Sequence, residues 1–222
     1  MSDFITVREF HDAEGAEDWR VVGDGACVYY ATGSLGAGVR LVQAISEIPG
    51  IEEHPPDVDL RPEGVTVRLL TMTPEGYGMS RRDLELAREI AVVARRLGMA
   101  ADVRKVQSVL VIPGAVDTAA VMPFWQAMLG YERRPDTPDE DLVDPLRRGP
   151  AFWFERMLEP RADGLGAVHV AVWVPHELAE GRVSAALAAG GRMVRDDFAP
   201  AWWTLADAAG NEADIATPKG RD

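Results

Sequence analysis

The sequence predicts an α+β fold in two domains, on three observations. Over the first hundred residues the order is strand, strand, helix, strand, strand, helix, which builds an antiparallel four-stranded sheet with its helices on one face. Beyond residue 103 a strand-helix-strand-strand-strand unit occurs twice, and the glycines closing its two helices, Gly130 and Gly190, stand 60 residues apart. Between these regions, at Ala100 to Val106, the text turns polar, which sets the expected domains at 1–103 and 104–222.

Trp19 to Val22 and Ala26 to Ala31 are short apolar runs joined by Gly23-Asp24-Gly25, the chemistry of a tight hairpin. Ser34 can cap a helix in which Val39, Val42, Ile45 and Ile48 recur near helical spacing, and Pro49-Gly50 ends it. Val58 and Leu60, then Val65, Val67 and Leu69, alternate with polar residues on either side of Pro62-Glu63-Gly64, giving a second strand pair. Ser80 and Asp83 resemble a capping box, and Leu86, Ile90, Val93 and Leu97 form an apolar stripe that runs to Gly98.

The second half opens with the strand Ser108 to Ile112 and the helix Thr118 to Leu129. Strands at Tyr131 to Arg134, around Leu142-Val143 and over Ala151 to Leu158 complete the first unit. The second unit reads Ala167 to Val174, a helix from about Glu177 to Ala189, then Arg192 to Arg195, Trp202 to Leu205 and Glu212 to Ala216. Eight strands in two such halves can close into a sheet that forms a cleft.

Composition narrows the function. The 222 residues carry a formal net charge of -13. Nucleic acids and anionic membranes are held through clustered Lys and Arg, so neither is expected as a main partner. No aliphatic run is long enough to span a bilayer, and the amino terminus has no basic segment leading into an apolar one, which points to a cytoplasmic protein. Cys27 is the only cysteine, so no intrachain disulfide forms, and it reads as a small buried hydrophobe.

Within AVHVAVWVP, residues 167–175, the valines at 168, 170, 172 and 174 share one face, and His169, Ala171 and Trp173 the other. The first face is core. The second lines a cavity or fills one. Five of the six tryptophans lie in this half, namely Trp125, Trp153, Trp173, Trp202 and Trp203. Of these, Trp125, Trp153 and Trp173 are the candidate ligand-binding set, because indoles suit flat ligands with a polar edge.

The run His54-Pro55-Pro56-Asp57-Val58-Asp59-Leu60-Arg61, then Val65-Thr66-Val67, then Arg82-Asp83-Leu84-Glu85-Leu86-Ala87, resembles the pterin-4a-carbinolamine dehydratases over about residues 16 to 98. The resemblance implies catalytic roles for His54, as acid and base, and for Asp83 in the last helix. It also implies that the histidine set is incomplete: Pro55 stands where a second His belongs, Pro62 at an aromatic position and Met72 at that of the remaining His. Removing one proton-transfer group typically costs about 10²- to 10⁴-fold in rate.

In the second half Phe124-Trp125 with Leu129-Gly130-Tyr131, His169-Val170-Ala171-Val172, and Ala206-Asp207-Ala208-Ala209-Gly210-Asn211-Glu212 resemble the glyoxalase and bleomycin-resistance branch of the vicinal oxygen chelate superfamily, over about residues 106 to 217. This resemblance implies paired βαβββ modules. It also implies a divalent metal, Zn, Mn, Ni or Fe, held here by Glu155, His169 and Asp214, with His169 also available as a catalytic acid or base. Leu110 takes the first-strand ligand position and cannot coordinate, so no cofactor is certain from the sequence.

Three functions remain open. The first is a small-molecule-binding or lyase-type glyoxalase-like protein with an incomplete dehydratase domain. The second is an active pterin carbinolamine dehydratase. The third is a drug or metabolite sequestering protein without turnover. The expected ligand is a pterin or an aromatic metabolite, and the expected assembly is a homodimer.

Overall fold

The computed structural model describes residues 3–159, 168–206 and 212–220. The chain divides into two compact units, one ending at Gln107 and the other spanning Ser108–Gly220. The turn at Val103–Lys105 stays with the first unit, because the Asp102 amide donates to Tyr29 O at 2.9 Å and Val106 is buried.

In the first unit a short helix, α1 (Val7–His11), opens with a capping box between Thr6 and Glu9. Strands β1 (Arg20–Val22) and β2 (Gly25–Ala31) meet at Val22 and Gly25, so the turn is Gly23-Asp24, with Gly23 at φ 63° where an L side chain is strained. Helix α2 (Leu35–Ser46) starts where the Ser34 hydroxyl accepts the Ala37 amide at 3.2 Å. Strands β3 (Asp57–Arg61) and β4 (Gly64–Leu69) form the next hairpin, and β5 (Thr71–Thr73) and β6 (Gly76–Gly78) a small separate one. Helix α3 (Arg81–Arg96) begins with the Ser80 and Asp83 capping box, and β7 (Ala100–Ala101) returns to pair with β2.

The sheet order is β1-β2-β4-β3 with every pair antiparallel. Helices α2 and α3 share one core with it, around Trp19, Tyr30, Leu41, Val67, Leu86 and Ile90. The apolar face of α2 differs from the stripe read in the sequence, for Val39 is 49% exposed while Gly38, Leu41 and Ile45 are buried. Gly38, Leu41 and Ile45, three and four positions apart, form the contact line, and a Cβ on Gly38 would meet the Leu60 side chain, while Val39 lies outside that line.

In the second unit β8 (Ser108–Ala115) leads to α4 (Thr118–Leu129), capped by Asp117 and closed by Gly130 at φ 67°. Then come β9 (Glu132–Arg133), β10 (Asp141–Val143), β11 (Ala151–Trp153), β12 (Glu155–Arg156) and β13 (Val168–Trp173). Helix α5 (His176–Ala188) and strands β14 (Arg192–Arg195), β15 (Trp202–Ala206) and β16 (Glu212–Ala216) complete the second module. The strand expected over 151–158 is two pieces, separated at Phe154, which turns into the core and is 2% exposed.

One sheet holds all nine strands in the order β14-β15-β16-β13-β8-β11-β10-β9, with β12 also on β8. The two modules join where β13 and β8 run antiparallel. Both helices pack on one face. Val172, Val174, Ala179, Val183, Leu205 and Ile215 form the core under α5, and Val111, Met122, Leu142, Phe152 and Phe154 that around α4. Val168, expected in the core, is 49% exposed at the start of its strand. Among the described residues no helix is long and apolar enough to cross a membrane.

Candidate functional site

The register of the second sheet sorts its side chains. His169 lies opposite Ile112, Ala171 opposite Leu110, and Trp173 opposite Ser108. Ala171 also pairs with Asp214, which pairs with Thr204. Residues opposite one another in register share a face, so His169, Ala171, Trp173, Asp214, Thr204, Trp202 and Leu110 all project from the face away from both helices. On β11 and β12 the pairs Ala151 with Leu110 and Glu155 with Gly114 put Trp153 and Glu155 on that face too.

The polar centre of this face is a carboxylate with two partners. Thr204 Oγ1 donates to Asp214 Oδ1 at 2.7 Å, and His169 Nε2 stands 3.3 Å from Asp214 Oδ2. Asp214 and Thr204 are buried, while the His169 side chain keeps 22% exposure. The His169 pKa is raised, chiefly by its hydrogen bond to Asp214. Burial works against the charged ring, and the charges of Asp214, Glu155 and Glu212 add to the rise.

These residues do not fit a metal centre. Leu110 supplies no donor, and among the described residues no three His, Cys, Asp or Glu side chains come together as a ligand group. The charge of Glu155 adds to the rise of the His169 pKa, and among the described residues Glu155 does not join His169 and Asp214 in a ligand group.

The tryptophans separate. Trp153 and Trp173 share the His169 face, and Trp153 is 36% exposed. Trp125 packs in the α4 core with its ring 5.3 Å from that of Phe152, on the opposite side of the sheet, because Phe152 alternates with Trp153. The turn Ala206 to Glu212, which carries part of the sequence resemblance, lies outside the described residues at 207–211, as does Ala167.

The first unit holds a second imidazole-carboxylate pair. His54 Nε2 is 2.6 Å from Asp83 Oδ1, and Asp83 is 0% exposed at the start of α3. Its Oδ2 accepts the Ser80 amide at 2.7 Å and the Ser80 hydroxyl at 2.9 Å, with the Thr71 hydroxyl 2.6 Å away. Thr71 and Thr204 are the site residues that the sequence reading missed. Each lies on a strand, where alternation gives its face but not its partner. Met72, at the position of the absent histidine, is 39% exposed on β5, and Pro62 sits in the turn between β3 and β4.

The other two histidines do different work. His11 Nε2 accepts the Val21 amide at 3.2 Å, and His176 lies 3.3 Å from Glu177 on the surface.

Comparison with known proteins agrees with this division. The family described as pterin 4 alpha carbinolamine dehydratase matches residues 5–93, and that described as glyoxalase-like domain matches residues 109–216. A protein of Nocardia farcinica (strain IFM 10152) named "Putative pterin-4-alpha-carbinolamine dehydratase" is 35% identical over 78 residues, covering 35% of this chain and 80% of its own length. Two solved structures resemble about half of the chain at low scores. One is titled an NAD-dependent benzaldehyde dehydrogenase from Legionella pneumophila (12% identity, 49% of this chain, 97% of that chain, TM-score 0.36). The other is a glyoxalase/bleomycin resistance protein/dioxygenase superfamily member from Vibrio splendidus 12B01 (19%, 50%, 99%, TM-score 0.32). Through its first domain the chain belongs to the pterin-4a-carbinolamine dehydratase family, and through its second it carries a glyoxalase-like domain.

Proposed function

We propose that the protein is a small-molecule-binding protein of lyase type whose chemistry is proton transfer by His169 on the glyoxalase-like sheet. The observation that carries this reading is the Thr204, Asp214 and His169 chain on the face away from α4 and α5, which Trp153 and Trp173 share. Asp214 orients the ring and favours its protonated form, which can give a proton to an oxygen developing negative charge and take it back later. The indoles supply area for a flat apolar ligand. Titrating tryptophan fluorescence with aromatic metabolites, and analysing the ligand afterwards, tests the reading. A ligand converted by the wild type and bound but unchanged by His169→Ala supports it. Binding without conversion by either protein favours sequestration, and no binding to either defeats both.

A second reading is carbinolamine dehydration by the first domain, favoured by the 2.6 Å contact between His54 and buried Asp83. That contact gives His54 an oriented ring suited to proton transfer, although neither Pro55 nor Met72 restores the missing groups. Dehydration of a pterin carbinolamine above the buffer rate, lost in His54→Ala, is the expected result, and a rate equal to buffer ends this reading. A homodimer is also proposed, and a monomer mass in sedimentation at all concentrations counts against it.

A further inference from the structure

We infer that Thr71 is a positioning residue for His54: through Asp83 it fixes the imidazole in the tautomer that carries its proton on Nε2 and leaves Nδ1 as the proton-accepting atom. Asp83 is fully buried, and its Oδ2 is surrounded by the Ser80 amide at 2.7 Å, the Thr71 hydroxyl at 2.6 Å and the Ser80 hydroxyl at 2.9 Å. A peptide N–H can only donate, and both hydroxyls have a hydrogen to give, so the carboxylate is the common acceptor of the cluster. Its other oxygen, Oδ1, meets His54 Nε2 at 2.6 Å, and an accepting oxygen there requires the ring to donate from Nε2. Among the described residues nothing bonds to Nδ1, and the side chain keeps 23% exposure, so this nitrogen is the one left for a ligand.

Thr71 also places its hydroxyl 2.7 Å from Ser80 Oγ and 3.5 Å from His54 Nε2, so one side chain on β5 ties the first turn of α3 to the ring. Met72, its neighbour in sequence, marks the position where the family resemblance expects a histidine, and Thr71 acts from the adjacent position through a hydrogen-bond chain.

The use of Nδ1 in catalysis rests on the dehydratase reading, whereas the tautomer does not, and the experiment separates them. Long-range nitrogen-proton correlation spectra of the full chain, at a pH where the ring is neutral, report the tautomer of each of the four histidines, and His54→Asn assigns the signal. The wild type is expected to show protonation at Nε2. Thr71→Val is expected to shift the pattern toward a tautomer mixture, and Thr71→Ser to restore it. Protonation at Nδ1 in the wild type overturns the inference whatever the variants do. So does an unchanged pattern in a folded Thr71→Val. If dehydration is absent while the Nε2 tautomer is present and sensitive to Thr71, the dehydratase reading fails and the positioning role stands.

Discussion

Thr204 Oγ1 donates to Asp214 Oδ1 at 2.7 Å across β15 and β16, and the same carboxylate faces His169 with its other oxygen. A threonine thereby sets the direction in which a carboxylate holds an imidazole. Removing the hydroxyl in Thr204→Val leaves a buried acceptor without its donor, which costs about 1–3 kcal/mol. Denaturant unfolding should show that loss, and Thr204→Ser should recover most of it. A valine variant as stable as the wild type contradicts the arrangement.

The pH dependence of stability has a definite sign at His169. The folded pKa is raised above the ordinary value of about 6.5, so the folded state binds the proton more tightly than the unfolded chain does. The stabilisation is therefore complete below about 6.5 and disappears as pH climbs through the folded value. Comparing unfolding midpoints of the wild type and Asp214→Asn across this range should show a gap that is widest in acid. A gap independent of pH sinks the prediction.

Asp83 anchors more than a helix cap. Asp83→Ala removes the acceptor of the Ser80 amide and of the His54 ring together, and the expected cost is about 2–4 kcal/mol, from a lost cap and from donors left buried. Chemical denaturation measures it, and a change below about 0.5 kcal/mol, the scale of ordinary surface substitutions, removes Asp83 from this role.

The two kinds of tryptophan should respond oppositely. Trp125→Ala opens the α4 core beside Phe152 and is expected to destabilise by about 1–3 kcal/mol without a specific effect on ligand affinity. Trp153→Ala should leave stability within about 0.5 kcal/mol and weaken ligand binding. Thermal unfolding and ligand titration on the same two variants check both, and the reverse pattern refutes the assignment of faces.

The donor set at His169 also predicts the response to divalent ions. A site that bound zinc or manganese in the folded state would raise the unfolding midpoint in proportion to saturation. Here the midpoint should be the same with added metal and with chelator, as scanning calorimetry would show. A midpoint raised by metal and reversed by His169→Ala would falsify the metal-free description.

Much of this molecule was legible in its residues. The βαβββ repeat, the caps at Ser34 and Ser80, the helix Thr118–Leu129 and the strands Arg192–Arg195 and Glu212–Ala216 follow from periodicity, turn chemistry and capping, which are local. Alternation within β13 likewise placed His169 and Trp173 on one face. The short helix α1 and the hairpin of β5 and β6 escaped the reading because they are too brief to show a period, and Val39 was misplaced because the buried line of its helix includes Gly38, which carries no apolar side chain to mark it.

The sequence by itself narrowed the residues that could carry proton chemistry near neutral pH, because imidazoles and carboxylates set among apolar residues are well suited to it, and His54, Asp83, His169 and Asp214 stand in such stretches. Tertiary structure alone decided their partners. His54 meets Asp83 29 positions away, and Asp214 meets both Thr204 and His169, through strand register and helix docking, which are set by packing of the whole core. Register also sent Phe152 to the core, where Trp125 of α4 packs on it, and kept Trp153 on the His169 face, since side chains one position apart on a strand emerge on opposite sides and the neighbouring strand fixes which side is buried.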